Sequence, residues 1–175
     1  LGEICEVFIG RSPISVSSEK VKKKRTPRKG PLCITGAQVT ESGFLELSRA
    51  KSFPGRACKQ DFLREGDLCF GAVFGRKKLR VAQITGEQAQ KNFVASHSLV
   101  VIRPPESFSD AERRFLLAYL RSKRAANFLA LKSPLISFDL MAVKTLPVPR
   151  PDEELQHQIT ELLEAAQNFD RLRAD

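Results

Sequence analysis

Tryptophan is absent from this 175-residue sequence, and methionine and tyrosine occur once each, so any aromatic core must rest on its twelve phenylalanines. Cysteine is scarce as well. Cys5, Cys33, Cys58 and Cys69 are widely spaced with no C-x-x-C pair, and the two histidines, His97 and His157, stand far apart. That excludes the common zinc frameworks, and reduced, mostly buried thiols are expected. Long hydrophobic runs are missing too: "LCFGAVF" and "SLVVI" fall far short of the roughly 20 residues that cross a bilayer. No basic-then-apolar leader opens the chain, so a soluble, cytoplasmic protein with no membrane partner is expected. The start at "LGEICEV", without methionine, points to a fragment or a trimmed chain.

Catalytic signatures are equally hard to find. An amino-methyltransferase loop needs Asp, Asn or Ser before two prolines and an aromatic residue after them, whereas "RPPE" at 103–106 has the wrong residue on both sides. "RPDEEL" opens like a nuclease carboxylate motif, but no paired acid and lysine follow it. "FIGRSP" at 8–13 is too short to be a phosphate loop. No catalytic residue, metal ligand or cofactor is assigned to this chain, which reads as a binding module.

Positive charge is what the sequence has in excess. Lys and Arg number 29 against 20 Asp and Glu, a formal net charge of +9. The excess is unevenly spread. Residues 152–175 hold seven acids against Arg171 and Arg173, which leaves 27 basic and 13 acidic residues in 1–151, a net near +14. A field of that sign and size attracts polyanions, and double-stranded DNA is the commonest intracellular candidate. Three clusters stand out: "KVKKKRTPRK" from Lys20 to Lys29, "GRKKLR" from Gly75 to Arg80, and "RSKR" from Arg121 to Arg124. A single such run is usually a solvated loop or a soluble strand edge. Three on one body favour phosphate contact.

The order of elements is mixed α/β. Strands are expected at 31–36, 67–75, 79–85 and 94–104, where β-branched and aromatic residues are bounded by Gly, Asp or Pro. Residues 109–132 read as helix, with Ser109 as N-cap and Glu112 as its capping-box partner. The polar, glycine-bearing stretch from Val39 to Phe62 reads as loop. Near the end, Pro147, Pro149 and Pro151 form a stiff exit, Asp152 is a good N-cap, and a helix is expected over about 152–173. Leu155, Ile159, Leu162, Ala166 and Phe169 repeat at four, three, four and three, the seam of a coiled coil. Such a helix either lies on its own domain or leaves the body to pair with another long helix.

The sequence of segments "LGEICEVFIGRSP", "FLREGDLCFGAVFGRKKLRVAQI", "ASHSLVVIRP", "FLLAYLRSKRAANFL" and "LISFDLMAVKTLPVPRPDEELQHQITELLEAA" resembles the DNA specificity subunit of Type I restriction-modification systems. The resemblance covers nearly the whole chain. Its sharpest parts are Leu63, Gly66 and Asp67 in an L-x-x-G-D pattern, and the closing Pro147, Pro149, Pro151, Gln156 and Ile159. Family members often read Pro-Pro-Leu-x-Glu-Gln before that isoleucine, whereas Asp152, Glu153 and Leu155 replace three of those residues here.

The resemblance implies a target recognition domain at 1–150, an α/β body with a mixed curved sheet and flanking helices, followed by a spacer or dimerisation helix at 151–175. It implies no enzyme activity in this chain, which would carry a DNA methyltransferase subunit, and a restriction subunit where the system has one, to one DNA sequence. S-adenosylmethionine, ATP and Mg would belong to those partners. The family subunit usually has two recognition domains and two helices that pair antiparallel, so one of each implies either a homodimer or a piece of a longer chain. The rival readings are a recognition domain cut from a single-chain methyltransferase or restriction enzyme, and a protein-interaction domain with a solvated basic surface.

Charge and loop position nominate Lys22, Lys23, Lys24, Arg25, Arg28, Lys29, Arg76, Lys77, Lys78 and Arg80 for phosphate contact. Gln38, Ser96 and Arg76 are the expected base readers, because their side chains can reach major-groove edges. Helix pairing falls to Leu155, Ile159, Leu162, Ala166 and Phe169.

Overall fold

A computed structural model describes residues 1–11, 31–40, 42–53, 57–72, 79–132 and 139–172. The chain forms β1 (Glu6–Ile9), β2 (Leu32–Ile34), β3 (Lys51–Ser52), β4 (Leu68–Gly71), β5 (Val81–Gln83), a short helix α1 (Gly86–Gln90), β6 (Val94–Ala95) and β7 (Leu99–Arg103). Four helices follow: α2 (Asp110–Leu120), α3 (Lys123–Lys132), α4 (Leu140–Lys144) and α5 (Glu153–Leu172). The mixed α/β class expected from the sequence is the class observed.

An antiparallel sheet ordered β1-β7-β4-β5 forms the centre. Side chains alternate across a strand. On one face Leu68, Phe70, Val81, Val100 and Ile102 meet Phe115, Leu116, Leu120, Leu129 and Leu146 of the helical layer. On the other, Cys69, Ala82, Leu99 and Val101 meet Ile34, Val39, Leu63 and Phe93 from the second, three-stranded sheet β3-β2-β6 and its loops. Burial on both faces explains why β4 and β7 read as continuous apolar runs.

Local chemistry sets the joints. Ser109 Oγ accepts from Glu112 N at 3.2 Å while Ser109 N donates to Glu112 Oε2 at 2.8 Å, so the capping box is formed as expected. The expected helix over 109–132 is in fact two. Arg121 turns the chain, and Ser122 accepts from Ala125 N at 3.3 Å to start α3. The 39–62 stretch is mostly irregular, with two 3-10 turns and β3.

Cys5, Cys33 and Cys69 are buried, while Cys58 is exposed. Burial pushes the Cys5 thiol up to about 11 and that of Cys69 well above the ordinary range. In the native protein one thiol, Cys58, is therefore expected to react promptly with an aromatic disulfide reagent, and all four after denaturation. Prompt reaction of several thiols in the native protein would contradict this packing.

Candidate nucleic-acid interface

In an antiparallel sheet alternate strands end where their neighbours begin. Ile9 pairs with Val100, Gly71 with Leu99 and Phe70 with Val81, so the exit of β1, the exit of β4 and the entries of β7 and β5 share one end of the sheet. Arg11 stays fixed there: its amide donates to Ala95 O at 3.1 Å, its carbonyl accepts from His97 N at 3.0 Å, and its Nε is 2.9 Å from Asp61 Oδ1. The segment with the Lys20 to Lys29 run departs from Arg11, and the segment with Arg76, Lys77 and Lys78 joins β4 to β5. The β4–β5 segment therefore leaves and re-enters the fold at this end, while the segment that holds the Lys20 to Lys29 run leaves it at Arg11 and re-enters at Pro31, before β2. The candidates Lys22, Lys23, Lys24, Arg25, Arg28, Lys29, Arg76, Lys77 and Lys78 themselves lie outside the described residues.

The third basic cluster comes to the same place. At the end of α2, the Arg121 guanidinium donates to Val81 O at 3.0 and 2.8 Å and to Gly43 O at 3.2 Å, which pins the α2–α3 corner to the start of β5. Lys123 and Arg124 follow as exposed residues, and Arg80, half-buried, precedes β5. Two clusters separated in sequence thus attach to one end of one sheet, and the segment that holds the third departs from the same end at Arg11.

Two expected base readers are corrected. Gln38 is 3% exposed; its Oε1 accepts from Thr35 N at 2.7 Å and its Nε2 donates to Glu46 O at 3.4 Å, so the amide closes a capping box around a 3-10 turn. Ser96 is likewise 3% exposed, with its Oγ 2.8 Å from Ser98 Oγ. Both side chains are spent inside the loops they stabilise. The exposed neighbour is His97, which the sequence reading passed over together with Arg11.

The L-x-x-G-D pattern belongs to the opposite end of the sheet and has a structural role. Gly66 adopts φ +82°, which favours glycine, and Leu63 is buried in the core. Asp67, 1% exposed, accepts from Arg64 N at 2.8 Å and receives the Arg103 guanidinium through Nε at 2.9 Å and Nη2 at 2.8 Å. Arg103 also donates to Phe62 O at 3.0 Å and stands 5.2 Å from the centre of the Phe8 ring. Burial opposes its charge, but the bonds and charge of Asp67, with Glu6, hold its proton above the ordinary range. This ion pair locks β4, β7 and the turn before β4 together.

The proline exit folds back over the body. Tyr119 donates from its hydroxyl to Pro147 O at 2.6 Å, and Val148 packs against the core. Asp152 caps α5 as expected, accepting from Leu155 N at 2.9 Å. The helix then lies on α2, with Thr160 buried, Ile159 packed against the core and Glu164 3.0 Å from Arg114. A helix leaving the body is therefore not what is seen. Yet the seam is only partly used: Leu155 is 44% exposed, Leu162 71% and Phe169 62%. Seven residues apart, these three return to nearly the same side of the helix after two turns. Nothing is described of the Ala166 side chain.

No family model matches the chain, and no curated protein matches it. Its fold is nevertheless shared with solved structures. One, described as the structural basis underlying complex assembly and conformational transition of the type I R-M system, is 18% identical with a TM-score of 0.59, over 97% of this chain and 37% of that one. Another, the crystal structure of the HsdS subunit from Thermoanaerobacter tengcongensis, is 20% identical with a TM-score of 0.56, over 96% of this chain and 36% of that one. The chain thus has the fold of a type I specificity-subunit domain and spans a little over a third of the length of these structures.

Proposed function

We propose that the chain is a DNA-reading module of a type I restriction-modification system, one that binds duplex DNA through the end of the sheet from which its basic runs depart. The attachment of two basic clusters, distant in sequence, to that single end, from which the segment of the third departs at Arg11, carries the reading. Sequence would be read by side chains reaching base edges between these phosphate anchors, with Arg76 the prime candidate. The shared fold supports the assignment of roles: this chain selects the site, a methyltransferase subunit modifies it, and a restriction subunit can join the assembly. S-adenosylmethionine, ATP and Mg then act on those subunits.

The exposed stripe Leu155, Leu162 and Phe169 supports a second role for α5, as one partner of a helix pair formed with a second copy or with a second recognition domain. Each large side chain gains roughly 1.5–3 kcal/mol on burial. Ile159 faces the body, so the informative variant is Leu155→Asp with Leu162→Asp, which spares the contact with α2. Sedimentation is expected to give a dimer for the unmodified chain and a folded monomer for the variant; equal mass for both would remove the helix from the interface. DNA binding itself is tested by fluorescence anisotropy with a labelled random duplex of about 30 base pairs over a range of salt. Affinity that falls steeply with salt is expected. No binding at low salt would end the proposal.

A further inference from the structure

Arg11 carries a side chain that the fold has fixed but not covered. Its backbone is held on both sides: the amide donates to Ala95 O at 3.1 Å and the carbonyl accepts from His97 N at 3.0 Å. Just before it, Gly10 N donates to Leu99 O at 3.0 Å, and a Cβ at Gly10 would fall 2.3 Å from Ala95 O, so the chain reaches Arg11 through a close approach that requires glycine. The guanidinium is held as well. Its Nε stands 2.9 Å from Asp61 Oδ1, and the Asp61 side chain is 10% exposed. Asp61 is itself fixed, because its Oδ2 accepts from Cys58 N at 2.7 Å and its amide donates to Cys58 O at 2.9 Å. The next residue, Phe62, bridges Val94 of β6. Arg11 nevertheless keeps 46% of its side chain in solvent, and among the described residues Asp61 is the one partner of its guanidinium.

Asp61 changes what Arg11 can offer to DNA. A carboxylate at 2.9 Å offsets the guanidinium charge, so the pair gains little from releasing counterions and makes a poor phosphate anchor. Direction is what the pair retains. With Nε beside Asp61, the Nη donors of a rigid planar fork remain for a further acceptor. A fork held at a fixed angle matches the O6 and N7 acceptors of guanine, the commonest specific contact in the major groove. Its place in the fold agrees, since Arg11 follows β1 at the end of the sheet where β4 leaves and β5 begins.

We propose that Arg11 is a specificity-determining residue that reads one guanine in the major groove, with Asp61 as the positioning residue that aims its guanidinium. The inference rests on the DNA-binding reading above and adds a residue pair to it. A reader must be held before DNA arrives, because a side chain that has to be ordered on binding loses discrimination to its own freedom. Arg11 meets that condition through three contacts: Ala95 and His97 hold its backbone, and Asp61 holds its side chain. The acid also turns the arginine away from indiscriminate phosphate binding. Its removal should therefore strengthen binding to random DNA while weakening the choice of sequence.

The test begins with duplexes carrying a randomised core, from which the unmodified chain enriches a preferred sequence. Arg11→Ala is expected to cut the preference for the enriched sequence over random DNA by about tenfold, the size of one good base contact, and to change the salt slope by less than the roughly 0.9 of a full phosphate contact. Arg11→Lys keeps a charge beside Asp61 and loses the fork, so its preference should fall to the same level. Asp61→Asn should lower preference and raise affinity for random DNA together. Replacing each guanine of the enriched core in turn by 7-deazaguanine, which lacks the N7 acceptor, identifies the contact. One position should cost the unmodified chain several-fold and cost Arg11→Ala and Arg11→Lys nothing. Circular dichroism melting checks each fold, and if Arg11→Ala unfolds, the 7-deazaguanine comparison is read with Arg11→Lys. Full preference in Arg11→Lys, equal losses on enriched and random duplexes, or 7-deazaguanine costs that are the same in variant and unmodified chain would each overturn the guanine contact while leaving the DNA-binding reading intact. Failure of the unmodified chain to bind any duplex would overturn both.

Discussion

Asp67→Ala is expected to destabilise the fold by about 3–5 kcal/mol, the cost of leaving a buried guanidinium without its carboxylate. Arg103 has a side chain only 9% exposed and Asp67 only 1%, so water cannot replace the lost partner. Two further acceptors remain near Arg103: the carbonyl of Phe62 at 3.0 Å and the exposed carboxylate of Glu6 at 3.5 Å. Neither matches the two-point contact that Asp67 makes through both oxygens. Urea denaturation should register the loss as a lower midpoint. The control is Asp67→Leu combined with Arg103→Met, which removes both charges and keeps apolar bulk; it is expected to recover a large part of the stability. If the double variant is as unstable as Asp67→Ala, the important bond is the one from Arg64 N to Asp67, and the ion pair is secondary.

This pair also shows what the sequence made legible and what it did not. The L-x-x-G-D pattern was visible as a family resemblance, but its partner Arg103 lies 36 residues away and nothing local announces it. The strands β4 and β7 were legible because burial on both faces writes a continuous apolar run. β1 was not: its four residues, "EVFI", pair at the edge of the sheet and carry no turn signal. The break between α2 and α3 was hidden because neither Gly nor Pro marks it; Ser122 is its only local sign, and the tertiary bonds of Arg121 to Val81 and Gly43 do the turning. Gln38 and Ser96 were misread for one reason. A polar residue in a loop looks available for DNA, yet a tight loop must satisfy its own amides first, and these two side chains do so.

Replacing Lys22, Lys23, Lys24 and Arg25 together by Ala is expected to have the largest effect on DNA binding. Each phosphate contact releases counterions, and each one lost removes about 0.9 from the slope of log K against log salt, so four contacts would flatten it by about 3.6. The loss should be the same for every duplex, because phosphates carry no sequence. The segment departs from Arg11, whose backbone is bonded to Ala95 and His97 and whose guanidinium meets Asp61, so its root is held at the proposed interface whatever the sequence of the DNA. Arg76 should behave differently. If it reads a guanine, Arg76→Ala costs roughly 1–3 kcal/mol on the enriched sequence and much less on random DNA. The same anisotropy titrations decide both. An unaltered slope in the quadruple variant would return the Lys20 to Lys29 run to a solvated loop. Equal losses on both duplexes for Arg76→Ala would make that residue another phosphate contact, and sequence preference would then have to come from other side chains at that end, such as the exposed His97 beside Arg11.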